Sequence, residues 1–303
     1  MINILRKLVI TLLPIRWLIP LRKFVTIMDR LDAIEENLQK LVGLYYNPTG
    51  EGLDQKTIFR SRELKFYSQH GEDGLLLYIF SKIGTTNRCF VEFGIGGGIE
   101  CNTANLSINH GWNGLLMDGG QNNVARAKYY YSSRPEIKPS QIKIVRCFIT
   151  AENIDKVLLD NGIEGEIDLL SIDIDGNDYW VWKAITNIRP RVVVIEYNAS
   201  LGPDKSLTVK YDPQFYVHKK HPSGWYHGAS LSALTKLGNS KGYILVGCDS
   251  KGVNAFFVRK DSAHGKLSEV SVEEAFYPHS SRLRIASVQQ QYKLIEHQDY
   301  VHV

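Results

Sequence analysis

Five short apolar runs recur between residues 88 and 197, and a helix-like stretch separates each run from the next. We interpret the runs as strands at residues 88–94, 113–118, 142–148, 167–173 and 191–197. Strands that alternate with helices usually pair in parallel, with helices covering both faces of the sheet. The pattern therefore predicts an α/β fold with a doubly wound parallel sheet.

Two further strands are predicted at residues 243–248 and 254–259, joined by the turn 249–253. The turn is too short for a crossover helix, so these strands must form a hairpin. The last strand then enters the sheet antiparallel. The expected architecture is a seven-stranded, mostly parallel sheet with an antiparallel last strand and a helical extension at the N-terminus.

The positive charge of the chain is concentrated at its N-terminus. The net charge is +4, but residues 1–30 hold six Lys and Arg against one Asp, which leaves −1 for the other residues. The body of the chain is therefore not a basic nucleic-acid binder.

The four cysteines of the chain form no C-x-x-C pair. Their spacing predicts no zinc or redox site and indicates reduced thiols in the cytoplasm.

Residues 1–28 are rich in Leu, Ile and Trp but are interrupted by basic residues. The longest uncharged run, 8–15, is far shorter than the roughly 20 residues that span a bilayer. Such a composition favours a segment that lies in a membrane interface, with cations near anionic headgroups. We expect a peripheral location on the inner face of a membrane; the alternative is an arm that packs on the core or on another subunit.

A heptad pattern follows in residues 26–43, with spacings of four and three between its apolar residues. These residues are Ile27, Leu31, Ile34, Leu38 and Leu41. The pattern predicts either a short coiled coil that joins copies of the chain into a homo-oligomer, or an amphipathic helix against the core.

We divide the chain into an N-terminal segment (1–46), a main domain (60–262) and a C-terminal extension (263–303). The sequence assigns no chemistry to the C-terminal extension.

Polar or glycine-rich segments follow four of the predicted strands. In a parallel sheet, ligands bind beyond the carboxyl ends of the strands, so these segments are expected to meet at one edge. They are 92–98 (EFGIGGG), Asp118, 173–178 (DIDGND) and 196–198 (EYN). Glycines allow a ligand to approach the backbone closely, and an acid such as Asp118 can bind ribose hydroxyls. The alternative for the glycine run is a plain tight turn, and for Asp118 it is a surface carboxylate. For the acidic residues of 173–178 the alternative is helix capping.

The combination of motifs resembles the class I S-adenosylmethionine-dependent methyltransferases, and in detail the FkbM-type family. The matching segments are 67–74 (YSQHGEDG), 91–98 (VEFGIGGG), 169–182 (LLSIDIDGNDYWVW) and 192–199 (VVVIEYNA). The resemblance covers roughly residues 64–260 and implies a Rossmann-like methyltransferase fold.

The resemblance also implies where S-adenosylmethionine would bind. Gly94, Gly96 and Gly97 would lie under its methionine part, and Glu92 would order the turn. Asp118 would hold the ribose. Gln69 and Glu72, just before the first strand, would contribute to the mouth of the cofactor site.

Methyl transfer to an alkyl hydroxyl needs a base or a metal ion that takes or acidifies the hydroxyl proton. Asp173 and Asp175 are candidate bases, and His227 is an alternative because histidine suits proton transfer near neutral pH. Oxygen ligands from two adjacent strands suit Mg²⁺ or another divalent cation. The predicted ligands are Asp175, Glu196 and Asn198.

An insertion at residues 199–228 is rich in aromatic residues and lysines. Aromatic rings can stack on sugars, so the insertion favours a small-molecule or glycan substrate. The sequence thus predicts an O-methyltransferase that acts on a saccharide or glycolipid precursor. One alternative is a non-catalytic methyltransferase-like scaffold. Another is a nicotinamide-dependent oxidoreductase, although its G-x-G-x-x-G turn would be broken by Ile99.

Overall fold

The computed structural model describes residues 49–303 and, before them, Leu31, Ile34, Asn37, Leu38, Lys40 and Leu41. The chain divides into two units, at residues 1–52 and 53–303.

In the first unit, the six described residues before position 49 are helical. Four of the predicted heptad positions, Leu31, Ile34, Leu38 and Leu41, are about half exposed. Ile27 and the predicted membrane segment 1–28 lie outside the described residues. Among the residues that are described, no helix is both long and apolar enough to cross a membrane.

The second unit is built on a sheet of seven strands. They are β1 (Cys89–Phe93), β2 (Asn113–Asp118), β3 (Ile142–Arg146), β4 (Gly165–Ile172), β5 (Ile188–Glu196), β7 (Tyr243–Cys248) and β8 (Asn254–Arg259). Their order across the sheet is β3-β2-β1-β4-β5-β8-β7. Strands β1 to β5 pair in parallel, and β8 pairs antiparallel with both β5 and β7. The predicted mostly parallel sheet with an antiparallel last strand is confirmed.

Helices precede, connect and follow the strands of this unit. They are α1 (Gln55–Ser61), α2 (Glu72–Ile83), α3 (Ala104–His110), α4 (Gln121–Ser132), α5 (Ile154–Asp160), α6 (Asp178–Ala184), α7 (Val217–Lys220), α8 (Leu231–Ser240), α9 (Lys260–Ala263), α10 (Val272–Ala275), α11 (Ser280–Leu283) and α12 (Val288–Ile295). A short 3₁₀ helix spans Ala199–Leu201.

Alternating side chains of the central strands fill two cores, one on each face of the sheet. In β5, Val193 and Ile195 pack into one core, while Val192 and Val194 pack into the other. Both faces are therefore buried, as the unbroken apolar runs predicted.

Strand β5 begins three residues earlier than predicted and includes Pro190. Proline is normally excluded from central strands because it lacks an N–H donor. Here Pro190 lies beside Ile167 of β4, whereas the pairing with β8 starts only at Val192. Proline is thus tolerated in β5 because no strand pairs with β5 at Pro190 on the side that faces β8.

The insertion and the C-terminal extension fold together. Strand β6 (Leu207–Val209) in the insertion pairs antiparallel with β9 (Tyr300–His302) near the C-terminus. A third, smaller core joins the two segments. It consists of Leu201, Leu207, Val209, Phe215, Tyr226 and Ile295. The insertion is therefore held in a defined place beside the carboxyl ends of β4 and β5.

Candidate active site

Glu92, on β1, orders the loop that follows this strand. Its buried carboxylate accepts hydrogen bonds from the backbone N–H groups of Asn102 and Thr103, at 2.9 and 3.0 Å, and from Ser171 Oγ at 3.1 Å. Burial raises the pKa of Glu92, although these hydrogen bonds oppose the shift. The carboxylate thus fixes the start of α3 and the shape of the glycine-rich loop.

Gly94 lies where β1 passes closest to the end of β4. Its φ is +82°, and a Cβ at this position would lie 1.4 Å from the carbonyl oxygen of Asp173. The position accepts only glycine. Gly96 also has a positive φ, +52°, but a Cβ there would meet no atom within 4 Å. The loop therefore leaves open space directly above Gly96.

Asp118, at the end of β2, ties the glycine loop to α4. Its Oδ2 accepts a hydrogen bond from Gly96 N at 2.8 Å. Its Oδ1 accepts from Gly120 N at 2.7 Å and from Asn123 Nδ2 at 3.0 Å. Oδ1 thus accepts two hydrogen bonds, whereas Oδ2 accepts one and retains a lone pair for a further donor. The contact with a ribose stays a prediction, and the observed bonds give Asp118 a role in holding the loop as well.

Glu72 lies at the start of α2 and is almost completely buried. Its carboxylate accepts from His70 N at 2.7 Å and from Asn254 Nδ2 at 2.8 Å. Gln69 lines the neighbouring cavities. The segment before β1 therefore reaches these cavities, with Glu72 as an internal anchor. A contact of Gln69 or Glu72 with the cofactor stays a prediction.

Three carboxylates meet at the ends of β4 and β5. Oxygen atoms of Asp173, Asp175 and Glu196 all lie within 4.8 Å of one another. We call these three residues the carboxylate cluster. Burial, together with the nearby negative charges, raises the pKa of Asp173 and of Glu196 well above their ordinary values. The cluster can hold a proton or a cation.

The loop that carries Asp175 is fixed by Asp178. The carboxylate of Asp178 accepts hydrogen bonds from Ile174 N at 2.8 Å and from Gly176 N at 2.9 Å. Asp175 itself has a φ of +54°, a strained value for a residue with a side chain. The strained backbone is therefore at Asp175, the exposed member of the carboxylate cluster.

Asn198 does not join the cluster. Its Nδ2 donates to the carbonyl oxygens of Trp225 and His227, at 2.7 and 2.9 Å. Its Oδ1 accepts from Ser200 N at 3.1 Å and from Arg282 Nη1 at 3.0 Å. The amide oxygen is thus already engaged, and Asp173 stands beside Asp175 and Glu196 where the sequence analysis placed Asn198.

His227 lies beside Glu196 and is almost completely buried. Its Nε2 is 2.9 Å from Arg282 Nη2, which can only donate, so Nε2 must accept and the ring proton is on Nδ1. Burial and the Arg282 charge lower the pKa of His227 to about 4. The ring therefore has no free lone pair for a substrate proton. Nδ1 is 3.4 Å from Glu196 Oε2, and neither atom has a hydrogen-bond partner among the described residues.

Arg282, on α11, was not singled out by the sequence because no motif surrounds it in the extension. It bonds Asn198, Ser200 and His227, and it lines the same cavity as the carboxylate cluster. The C-terminal extension therefore completes the site.

Replacing Arg282 with glutamine should raise the pKa of His227. The substitution removes a positive charge next to the ring, so the protonated imidazole becomes less unfavourable. NMR titration of the imidazole should show wild-type His227 neutral down to about pH 5, with its midpoint at higher pH in Arg282→Gln. A wild-type midpoint near the ordinary value of 6.5 would contradict the described pairing.

Two cavities meet along the glycine loop. The first has a volume of about 340 Å³ and the second about 920 Å³. Both are lined by Gln69, His70, Gly94, Gly96, Asp173 and Val253. Small-molecule sites typically have volumes of roughly 300–1,000 Å³. Together with the open space above Gly96, the cavities offer room for a nucleoside-sized cofactor and an acceptor next to the carboxylate cluster.

The strand order and the glycine loop define a class I methyltransferase fold. Residues 79–243 match the model of the FkbM methyltransferase domain. The chain therefore belongs to the FkbM family of S-adenosylmethionine-dependent methyltransferases. The resemblance stated from the sequence is confirmed.

Solved structures similar to this chain include the following three, and no curated protein matches this chain. The N-terminal domain of EvdMO1 with SAH bound is 12% identical, with 68% of this chain and 95% of that chain covered and a TM-score of 0.40. The O-methyltransferase from Bacillus cereus in complex with SAH is 14% identical, with coverages of 75% and 89% and a TM-score of 0.38. A putative sarcosine dimethylglycine methyltransferase from Galdieria sulphuraria is 15% identical, with coverages of 57% and 60% and a TM-score of 0.39.

Proposed function

We propose that the protein is an O-methyltransferase that transfers the methyl group of S-adenosylmethionine to a hydroxyl of a saccharide or glycolipid precursor. The observation that carries this proposal is the carboxylate cluster, which faces the same cavity as Gly94 and Gly96 of the cofactor loop. A hydroxyl acceptor needs help in losing its proton, and the cluster supplies groups that can take it.

The bound cofactor supplies an activated methyl group on a sulfonium, so the protein has to align the acceptor and remove its proton. Glu196 and Asp173 suit the second task because burial raises their pKa values and makes their ionised forms stronger bases. His227 is less suited because Arg282 occupies its Nε2 lone pair. We assign His227 and Arg282 to positioning Glu196.

The same cluster can hold Mg²⁺ or another divalent cation. Three carboxylates within 4.8 Å provide the oxygen ligands that such ions prefer. The fitting ligands are Asp173, Asp175 and Glu196, while the oxygen of Asn198 is engaged elsewhere. A cation here would lower the pKa of an acceptor hydroxyl and orient it.

The acceptor would lie against the insertion. The larger cavity is lined on the side of α7 by Phe215, Tyr216, Val217 and His218, and Tyr216 is 54% exposed. An exposed ring beside hydroxyl-binding carboxylates is a surface on which a sugar can stack. This arrangement supports a saccharide acceptor.

The experiment is a transfer assay with S-adenosylmethionine labelled in its methyl group. Candidate acceptors are simple pyranosides and lipid-linked saccharides, each tested with added Mg²⁺ and with EDTA. We expect label in a product whose methyl ether resists mild base. Loss of transfer with EDTA and its return with Mg²⁺ would assign the metal mechanism. Full transfer in EDTA would assign the carboxylate base. Label on nitrogen or carbon would refute O-methylation.

We further propose that residues 1–28 hold the protein on the inner face of a membrane and that the heptads join copies of the chain. The composition of residues 1–28 supports the first proposal, and the exposed seam of Leu31, Ile34, Leu38 and Leu41 supports the second. Flotation with vesicles containing anionic lipid should recover the full chain at low salt. Sedimentation should give more than one copy, and Leu38→Lys should give a monomer. An unbound or monomeric wild type would refute the corresponding proposal.

A further inference from the structure

We infer that Arg282 and His279 bind an acidic group of the acceptor, so that the preferred substrate is a saccharide with a carboxylate or phosphate group near the hydroxyl that is methylated. The inference rests on the proposed methyl transfer to a saccharide hydroxyl. It adds the charge of that saccharide and the residues that select it.

The guanidinium of Arg282 is held in place by neutral groups only. Its Nη1 donates to Asn198 Oδ1 and to Ser200 Oγ, both at 3.0 Å, and its Nη2 lies 2.9 Å from His227 Nε2. None of the ion pairs among the described residues includes Arg282. A partly buried charge normally has a partner of opposite sign. The positive charge of Arg282 is therefore available to a ligand.

Part of this guanidinium remains free to bind. A guanidinium carries five N–H groups, and the contacts of Arg282 use three of them. Nε–H and one N–H of Nη2 are left without an acceptor among the described residues. Nε is not one of the buried atoms that lack a partner, so it is open to solvent. Because Arg282 lines the larger cavity, the free N–H groups can bind oxygen atoms of a carboxylate or a phosphate there.

His279, the residue before α11, adds a second donor to the same cavity. Its Nδ1 accepts a hydrogen bond from Ser281 N at 3.2 Å, so the neutral ring carries its proton on Nε2. Burial, followed by the charge of Arg282, lowers the pKa of His279 to about 4. The ring is therefore a neutral donor near a fixed cation, and this combination suits an oxyanion.

The acidic group would lie one imidazole ring away from the proposed base. The two nitrogen atoms of His227 lie 2.9 Å from Arg282 Nη2 and 3.4 Å from Glu196 Oε2. Burial lowers the pKa of Arg282, although the charges of Glu196 and Asp175 oppose this shift. The carboxylate cluster thus offsets only part of the cost of enclosing the Arg282 charge. Substituents of one sugar ring can span the separation, with a hydroxyl at Glu196 and an acidic group at Arg282.

The test follows the Nε–H signal of Arg282 by NMR on the full chain with S-adenosylhomocysteine, while one of three sugars is added. Methyl glucoside is neutral, methyl glucuronide carries a carboxylate, and methyl glucoside 6-phosphate carries a phosphate. One or both acidic sugars should shift the signal and bind at least about tenfold more tightly than methyl glucoside. The tighter of the two identifies the acidic group. No shift with either acidic sugar, or equal affinities for all three, would overturn the inference.

The Nε–H signal of Arg284 is the internal control for this titration. Arg284 is exposed at the end of α11 and does not line the cavity, so its signal should stay in place. The transfer assay separates the inference from the proposed function. Equal kcat/KM for neutral and acidic sugars would overturn the inference and leave O-methylation intact. Absence of label in every saccharide would refute the proposed function, and the titration would still decide the charge preference.

Variants of Arg282 separate anion binding from the positioning of Glu196. Arg282→Gln should lower the preference for the acidic over the neutral sugar by about tenfold or more, whereas Arg282→Lys keeps the charge and should retain part of it. A loss by the same factor for both sugars would leave Arg282 a positioning role only and overturn the inference. Arg284→Gln should keep the wild-type preference. If Arg282→Gln does not fold, the wild-type titration decides.

Replacing His279 with leucine should lower the preference for the acidic sugar by about threefold, as expected for loss of one hydrogen bond from a neutral donor. Leucine has a similar bulk and no donor. The measurement is the same NMR titration with the acidic and the neutral sugar. An unchanged preference would remove His279 from the anion site.

Discussion

Replacing Gly94 with alanine should destabilise the protein by about 3 kcal/mol or more and abolish cofactor binding. The new Cβ would lie 1.4 Å from the carbonyl oxygen of Asp173, so the ends of β1 and β4 would have to separate. A positive φ of +82° adds strain for any residue with a side chain. Separation of the strands would also displace Asp173 from the carboxylate cluster. Thermal unfolding and calorimetry with S-adenosylhomocysteine measure the two effects.

Gly111→Ala is the matched control for backbone strain. Gly111 has a φ of +66°, and a Cβ there would meet no atom within 4 Å. This variant should lose about 1 kcal/mol from strain alone and keep its cofactor affinity. If Gly94→Ala is no less stable than Gly111→Ala, the close approach of β1 to Asp173 is wrong.

Substituting Glu196 with glutamine should lower methyl transfer by about 10²- to 10⁴-fold, the range typical for loss of a general base. Glutamine keeps the shape of the side chain but can neither take a proton nor supply a charged metal ligand. Binding of S-adenosylhomocysteine should stay close to wild type, because Glu196 is not one of the residues at which the cofactor is expected, namely the glycine loop and Asp118. Transfer at the wild-type rate would place the base elsewhere.

The same variant should be more stable than wild type at alkaline pH. The pKa of Glu196 is raised above its usual 4.5, so ionisation is harder in the folded protein than in the unfolded chain. That penalty is absent below about pH 4.5, where both states are protonated, and it appears as the pH rises through the folded pKa. Melting temperatures in metal-free buffer should therefore diverge at pH 8 and converge below pH 4.5. Equal melting temperatures of the variant and wild type at pH 8 would contradict the burial of a raised-pKa carboxyl at this position.

The sequence could predict that the catalytic candidates Asp173 and Glu196 lie close together, because their proximity follows from the topology of the sheet. Asp173 follows β4 and Glu196 ends β5. The two strands are consecutive in the chain and adjacent in the sheet, with Ile172 beside Ile195. Parallel strands end at the same edge, so residues just after them must be neighbours. The glycine loop and Asp118 could be placed by the same reasoning.

The contributions of Arg282 and Asn254 could not be predicted because they depend on contacts between distant parts of the chain. Arg282 is 84 positions after its partner Asn198 and lies on a four-residue helix without a sequence pattern. Asn254 looks like an ordinary first residue of a strand until its amide is found against Glu72. Local patterns carry no information on such pairs. For the same reason, the sequence could not show that the amide oxygen of Asn198 accepts a hydrogen bond from Arg282 and does not join the carboxylate cluster.

Calorimetry of S-adenosylhomocysteine binding to the full chain, with Asp118→Ala for comparison, tests the central claim most directly. The claim is that the cofactor occupies the cleft above the glycine loop, which Asp118 holds through Gly96 N at 2.8 Å. We expect a single site with a dissociation constant on the order of micromolar in wild type, and no measurable heat in the variant. Absence of binding to wild type, or equal binding to both proteins, would contradict it.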